Sequence, residues 1–426
     1  MSTAIAVARP EFYIHSGYAE RRGRGREGDV SGVLSDRFFA SMSSSIGPVD
    51  QSQMLPPACY VDPDFFEFEK DAIFAREWLC VGRQEWVARP GDYFTAMHMG
   101  EPVVVVKGKD GVVRAMSTVC QHRAMLVAEG KGNTTAFLCP YHHWCYGLDG
   151  TLLGAPAMER ATGFEKRGIH LPQFKVEIWL GFVFINFDAD AAPLAPRLTK
   201  LAEVLEPYDL ANADCSPSFE ESTFPWNWKV MFENNNDGYH ANRLHAGPIH
   251  DIAPSELCVF PNDLPDDTAG YYRYNGTTHP DASFNPTLKA LLPVFPGLTD
   301  QDRGRLLFAN VPPSLSLIIR SDLVAFIFLH ANSHDTITAR RGWLAAPGAS
   351  EQPLFQERLA VNLATSASIA AQDVHVDALI QVGLRSRYAA RGRYSWQEQA
   401  QREFNAWLVK RYRTAWAERG HAEAAE

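Results

Sequence analysis

Two cysteines and two histidines, placed as Cys120-Gln-His122 and Cys139-Pro-Tyr-His142 with sixteen residues between the pairs, constrain this chain more than any other feature. Thiolates and imidazoles in close pairs are metal ligands by preference, and each pair is short enough to sit on one loop. Zinc accepts two cysteines and two histidines, but the usual zinc finger groups the cysteines on one arm and the histidines on the other. Here each arm supplies one of each. The spacing predicts a metal centre held between two loops, and the mixed order sets it apart from the common zinc site.

The chain is long enough to house such a centre and more. Its 426 residues, 46% hydrophobic and 21% charged, can bury two or three cores. No run approaches the roughly 18 apolar residues of a membrane span. The first thirty residues lack the apolar stretch of a signal peptide, so a cytoplasmic location is expected. Of seven cysteines, Cys59, Cys80, Cys145, Cys215 and Cys258 remain outside the two arms without framework spacing, which suits reduced thiols. A net charge of -10 argues against nucleic acid or an anionic membrane as partner.

Taken in order, residues 1–55 are rich in Gly, Ser and Arg and read as a flexible N-terminal extension, or one that wraps a neighbouring subunit. From Asp62-Pro63 the apolar residues Phe65, Phe66, Phe68, Ile73, Phe74 and Trp78 recur at helical spacing, predicting a lead-in helix. Short runs follow, Tyr93 to Met97, Val103 to Lys107, Val112 to Ser117, Phe137 to Leu138 and Trp179 to Phe187, as antiparallel strands of a small all-β domain spanning 56–190. Both ligand arms fall in loops between them. After the Ala/Pro-rich boundary at Ala189 to Pro196, residues 191–426 mix a short helix at Leu198 to Leu205, strands at Leu315 to Arg320 and Leu323 to Leu329, and a long helix from about Pro353 to Leu384. That helix is expected to pack through Leu359, Leu363, Ala367, Ala370, Val374 and Ala378.

The mixed ligand order resembles the Rieske family, whose [2Fe-2S] cluster keeps two Cys on one iron and two His on the other. The second arm, Cys139-Pro-Tyr-His142-His-Trp144, carries the family's proline and aromatics, and Arg123 follows the first arm as in oxygenase-type members. Neither arm has the extra cysteine that respiratory members use for a disulfide. His143 departs from the family, which usually has glycine there.

A cluster moves one electron at a time and makes no product, so a second site is expected downstream. The segment Glu233-Asn-Asn-Asn-Asp237-Gly-Tyr-His240-Ala-Asn-Arg-Leu-His245 is the candidate. Non-haem Fe(II) that activates oxygen is commonly held by two His and one carboxylate on one face. On a straight helix, residues five apart lie about 140° apart around the axis. The helix from near Trp226 is therefore expected to end near Tyr239, with His245 swung back. By itself the segment reads equally as a polar helix end with two satisfied histidines.

Glu-x3-Asp-x2-His-x4-His downstream of a Rieske domain resembles the iron motif of the Rieske non-haem iron oxygenases, aromatic-ring-hydroxylating large subunits among them. The resemblance spans residues 60 to 415. It implies a third ligand on a late helix. Asp373, eight residues before Gln381 in Gln381-Val-Gly383-Leu, takes that position, with Asp377 one turn on as the alternative. Ala378 replaces a glutamate that many relatives carry. The resemblance also implies an α+β fold, an all-β Rieske domain beside a catalytic domain with an antiparallel sheet flanked by helices. Further implied are a [2Fe-2S] cluster on Cys120, His122, Cys139 and His142, Fe(2+) on His240, His245 and Asp373, and Asp237 as the carboxylate joining cluster and iron histidines across a head-to-tail trimer, with or without a small β subunit.

The implied chemistry is O2 activation with electrons from NAD(P)H through a separate reductase, with or without a ferredoxin, since the Arg-Gly alternation around Arg24 neither follows a predicted strand nor opens a helix and so does not qualify as a dinucleotide-binding GxGxxG unit. Relatives acting on quaternary amines tend to have glutamate where Asp237 stands. Asp237, with the apolar residues Phe224, Phe232, Leu244, Ile249, Val259, Phe260, Phe308, Leu317 and Phe326 expected around the site, leads us to expect hydroxylation of an aromatic or polycyclic hydrophobic compound, in aromatic hydrocarbon catabolism. O-demethylation or another monooxygenation is the alternative within the family. An electron-transfer protein whose second domain only docks partners is the alternative outside it. His122→Cys and Cys139→Ser are expected to bleach the cluster, or for the histidine change to lower its potential, since two His ligands raise Rieske centres above all-Cys ones. An unchanged EPR signal and midpoint potential in both variants would refute the ligand assignment.

Overall fold

Four consecutive valines, Val103 to Val106, are all fully buried, and they show how the chain is layered. In the strand Glu101–Lys107 side chains alternate between faces. Val104 and Val106 pack with Met116, Phe137, Trp144 and Tyr146 under the Cys/His loops. Val103 and Val105 join Trp228, Phe404 and Leu329 in a core that continues into the second half of the chain. A strand buried on both faces needs a continuous apolar run, and this sequence supplies one.

The computed structural model describes residues 32–423 except 246–251, 262, 263, 286 and 288. The fold is α+β. An antiparallel seven-stranded sheet runs in the order Leu79–Arg83, Phe182–Asn186, Gln173–Trp179, Val113–Ser117, Glu101–Lys107, Asp92–His98, Lys131–Asn133. A three-stranded sheet of Phe137–Leu138, Cys145–Tyr146 and Leu152–Gly154 lies beside it. The run Trp179 to Phe187, expected as one strand, is instead a hairpin corner. Leu180 and Gly181 both have positive φ (49° and 81°), and Trp179 pairs with Phe182. Two central residues of positive φ match the right-handed strand twist of a tight hairpin.

The second half is built on an eight-stranded antiparallel sheet whose central strands are Tyr271–Gly276, Arg305–Val311, Leu315–Ile319, Val324–Ser333 and Thr336–Ala345. Helices Trp228–Asn236, Phe355–Leu384 and Gln399–Glu423 accompany it. The lead-in helix Pro63–Glu69 starts as expected, with Asp62 accepting from Phe65 N at 3.0 Å and proline in the first turn. No helix among the described residues is long and apolar enough to cross a membrane.

Two expectations are corrected. The described part of the supposedly flexible extension, residues 32–55, is packed: Phe39 stacks on Trp416 at 4.8 Å and Arg391 donates to Met54 O and Ser45 Oγ. Residues 1–31, with the basic run, lie outside the described residues. The long helix buries Phe355, Leu359, Asn362, Asp377, Gln381 and Leu384, whereas Leu363 and Ala367 are exposed. The spacing of three and four is right, but the inward face turns polar. An apolar count cannot find such a face.

Lys229 and Glu69, both fully buried, meet at 2.7 Å, and the Tyr412 hydroxyl donates to the same carboxylate. This joins the lead-in helix, the Trp228–Asn236 helix and the C-terminal helix at one point. Breaking a buried pair from one side leaves a charge uncompensated and costs about 3–5 kcal/mol. Lys229→Met should lower stability by about that much in chemical denaturation, and Lys229→Met combined with Glu69→Gln should recover part of it. Equal stability of the single variant and the wild type would contradict the pairing.

Candidate metal centres

Each Cys/His arm is the same backbone device. Cys120 N donates to Met125 O (2.9 Å) and Ala124 N to Cys120 O (3.0 Å). Cys139 N donates to Trp144 O (2.8 Å) and His143 N to Cys139 O (3.0 Å). The flanking residues close each loop in the same register, Val119 with Leu126 and Leu138 with Cys145. The fourth residue after each cysteine has positive φ, 57° at Ala124 and 59° at His143. A non-glycine residue there costs on the order of 1–2 kcal/mol, which gives a physical reason for glycine at the second position and shows that histidine is accommodated.

Cys120 and Cys139 are buried at 2% and 1%, whereas His122 is exposed and His142 half-buried. The imidazoles face each other with centroids 4.6 Å apart, and Trp144 stacks on His122 at 4.9 Å and 7°. Among the described residues this quartet does not gather its ligand atoms around one point, as a single zinc would require. Thiols inside and imidazoles outside suit a cluster with one iron on each side. Sequence reasoning missed Tyr146, whose hydroxyl lies 3.3 Å from Cys120 Sγ and accepts from Gln121 N at 3.0 Å. Burial and Cys120 together push its pKa up, so it stays a hydrogen-bond donor toward the sulfur.

The second site is set by where the Trp228–Asn236 helix stops. Asn227 caps its start, accepting from Lys229 N at 3.0 Å, and the helix ends at Asn236. Asp237 therefore pairs with His240 across a turn and not along a helix face: Oδ1 accepts from Tyr239 N at 2.6 Å and His240 N at 3.3 Å, while Oδ2 lies 3.2 Å from His240 Nδ1. A 3-10 turn at His240–Asn242 brings His245 back. The two Nε2 atoms stand 3.2 Å apart, and Asp373 Oδ1 lies 3.7 Å from that of His240 and 3.1 Å from that of His245.

This is the one group of three or more His, Cys, Asp or Glu among the described residues whose ligand atoms all lie within 4.8 Å. Two imidazole nitrogens and a carboxylate oxygen aimed at one point suit a cation, and Asp373 Oδ1 is buried without a hydrogen-bond partner. Behind the ligand nitrogens, His245 Nδ1 lies 2.7 Å from Gln372 Oε1, and His240 Nδ1 lies 3.2 Å from Asp237 Oδ2 without a formed hydrogen bond, while both Nε2 atoms turn inward. Gln372 was legible only as the neighbour of Asp373.

Asp377 does not reach this point. It is 2% exposed and accepts from Asn234 Nδ2 at 3.1 Å. Burial first, then the charge of Asp373, push its pKa to about 8. The helices are clamped in antiparallel order by Gln381, fully buried, which accepts from Asn227 N at 2.9 Å and donates to Tyr60 O at 3.2 Å. Of the apolar candidates near the motif, Phe224, Phe232, Leu317 and Phe326 are core residues, Val259 is exposed and Ile249 lies outside the described residues. Phe260 packs against the core and Leu244 is half-buried, while Phe308 packs with Ile318 against the same apolar cluster as Ile369, which lies one turn before Asp373.

Residues 77–175 match the Rieske [2Fe-2S] domain family, and residues 204–414 match the ring hydroxylating alpha subunit (catalytic domain) family. The chain is similar to the carnitine monooxygenase oxygenase subunit of Acinetobacter pittii, 37% identical over 207 residues, 46% of this chain and 54% of that one. It is also similar to the benzene 1,2-dioxygenase subunit alpha of Pseudomonas putida, 34% identical over 217 residues, 49% and 48%. The chain thus spans about half the length of the curated relatives it matches. Two solved structures share the fold: a quaternary ammonium Rieske monooxygenase with γ-butyrobetaine (TM-score 0.71, 24% identity, 89% of this chain and 99% of that one) and naphthalene 1,2-dioxygenase from Rhodococcus sp. with indole (TM-score 0.75, 20%, 89% and 99%).

Asp373→Ala is expected to empty the site of iron, whereas Asp377→Asn should keep it, because a carboxyl with a pKa of about 8 is already protonated at pH 7. Its raised value means that it disfavours the folded state increasingly as pH climbs from about 4 toward 8. Asp377→Asn should therefore flatten the loss of stability over that window. Iron lost from Asp377→Asn and kept by Asp373→Ala, in a metal assay, would move the ligand.

Proposed function

The chain belongs to the Rieske oxygenases of the ring-hydroxylating alpha-subunit type, and from that premise we propose that it is the terminal oxygenase component of a multicomponent system. The observation that carries this reading is the convergence of His240 Nε2, His245 Nε2 and Asp373 Oδ1 in a chain that also holds the paired Cys/His loops. Cys120, His122, Cys139 and His142 would hold the cluster, and the His240, His245, Asp373 face would hold Fe(II). When bound, these groups supply electron transfer and O2 activation.

The residues of the chain do the positioning. Gln372 fixes the tautomer of His245, the Asp237 carboxylate stands beside the outer nitrogen of His240, and Gln381 holds Asp373 at its distance from them. The exposed edge of His122 offers a ring nitrogen to another surface, which suits delivery of electrons to the Asp237 of a neighbouring subunit in a trimer. Electrons would come from NAD(P)H through a separate reductase, directly or by way of a ferredoxin, and a small β subunit is compatible with the arrangement.

For the substrate we favour an aromatic or other hydrophobic compound. Ile369, one helical turn before Asp373, packs in one apolar cluster with Phe308 and Ile318 of the sheet, and all three are only half-buried. The names of the similar carnitine and glycine betaine monooxygenases favour a second reading, oxidation of a quaternary ammonium compound. A quaternary ammonium group is recognised by open aromatic faces, and the Phe308 ring already carries the Arg273 guanidinium 3.8 Å from its centroid. The test is turnover with a surrogate reductase and NADH under isotope-labelled O2. Labelled product from an aromatic compound, with none from carnitine or glycine betaine, is expected. Labelled product from the quaternary amines alone would establish the second reading, and labelled O2 entering no organic product from a broad panel would favour an electron-transfer role.

A further inference from the structure

Arg273 is buried at 4% exposure on the strand Tyr271–Gly276, and its surroundings differ from those of the other buried arginines. Arg83 pairs with Glu85 and donates to Leu180 O and Leu210 O, and Arg320 donates to Leu323 O and Ser366 Oγ. Arg273 has the Phe308 ring beneath it, Cys258 Sγ 3.8 Å from Nη1, and an Nε with no partner. Among the described residues no carboxylate forms an ion pair with it. Burying a guanidinium without an anion is costly, so an unpaired one marks a place where an anion arrives.

The register shows where the side chain lies. Tyr271 and Arg273 share a face of the strand, and Tyr271 accepts from Asn236 Nδ2 at 3.0 Å, so this face looks at the helix that leads into the His240 loop. Arg273 pairs with Phe308, and Phe308 with Ile318, making one row across the sheet whose apolar members pack against the same cluster as Ile369 of the Asp373 helix. A Cβ placed on Gly238 would stand 3.8 Å from Arg273 Nη1. Gly238 follows Asp237 and precedes His240 by two residues, which places the guanidinium at the edge of the ligand loop. The Asp237 carboxylate accepts from two backbone amides beside His240; its charge favours the Arg273 guanidinium from a distance, but it forms no ion pair with it.

We propose that Arg273 receives an anionic group of the substrate, a carboxylate, while the apolar body of the molecule lies along Phe308, Ile318 and Ile369. The proposal rests on the His240 site being where substrate is oxidised and narrows the substrate to an apolar acid. A charge-assisted bond to a buried guanidinium discriminates strongly against a neutral isostere.

Isothermal titration of the as-isolated holoprotein without reductase, so that nothing turns over, tests this with acid and amide pairs: benzoate and benzamide, 3-phenylpropionate and its amide, butyrate and butyramide. At least one acid should bind at least tenfold more tightly than its amide. Arg273→Met should abolish that gap, and Arg273→Lys should keep part of it. No measurable acid binding, an amide as tight as its acid in every pair, or a gap that survives in Arg273→Met would overturn the proposal. The wild-type comparison requires no variant to fold. Iron assayed in the same samples after anaerobic addition of Fe(II) separates the two ideas: an acid preference in protein that takes up no iron at the His240 site would sink the oxygenase reading and leave the anion site standing.

Discussion

The carboxamide of Gln381 ties together the backbone of three segments, accepting from Asn227 at the start of one helix and donating to Tyr60 beside the lead-in helix while itself sitting on a third. A hydrogen bond of this kind contributes a net ~1 kcal/mol, but leaving either end unmet in a fully buried place costs about 1–3 kcal/mol. The helix Phe355–Leu384 is thus held in one register against Trp228–Asn236. From that register Asp373, two turns before Gln381, meets His240 and His245, and Asp377 meets Asn234. His240, His245 and Asp373 converge because these helices cannot slide. Their polar, buried contact face is specific in a way that an apolar stripe, tolerant of repacking, is not.

The Cys/His loops depend on a different device. Each is closed by the same two backbone hydrogen bonds and the same left-handed residue, so two unrelated stretches of sequence give two superposable ligand arms. The floor beneath them is Val104 and Val106, whose neighbours Val103 and Val105 belong to the core shared with the catalytic half. The loops therefore stand on the same strand that anchors the second domain. Cys80 N, which donates to Ser314 Oγ at 2.7 Å, adds a polar fastening between the sheets.

Much of this was legible in the sequence where chemistry and spacing coincide. The ligand arms, the end of the helix before His240 and the choice of Asp373 over Asp377 from the Gln381 offset all correspond to residues that the fold places together. What was not legible came from tertiary context. Of the apolar stripe expected on the long helix, Leu359, Val374 and Ala378 do pack inward, but Asn362, Asp377 and Gln381 share that face, and these were not legible because their partners come from segments distant in sequence. Residues 32–55 read as a loose arm because their composition is polar, whereas Phe39 meeting Trp416 and Phe68, and the fully buried Met42 and Leu55, show it packed. Arg273 carried no signal at all, since its meaning lies in the absence of a partner.

The central claim is that one chain carries both a cluster and a separate mononuclear iron. Mössbauer spectroscopy of protein produced with iron-57 tests it most directly, since it counts irons by environment without relying on turnover. The account predicts the two inequivalent irons of a [2Fe-2S] cluster and, beside them, one high-spin ferrous iron with nitrogen and oxygen ligands in equal amount per chain. A spectrum of fully loaded protein containing the cluster irons alone, with no ferrous component after anaerobic addition of Fe(II), would contradict it.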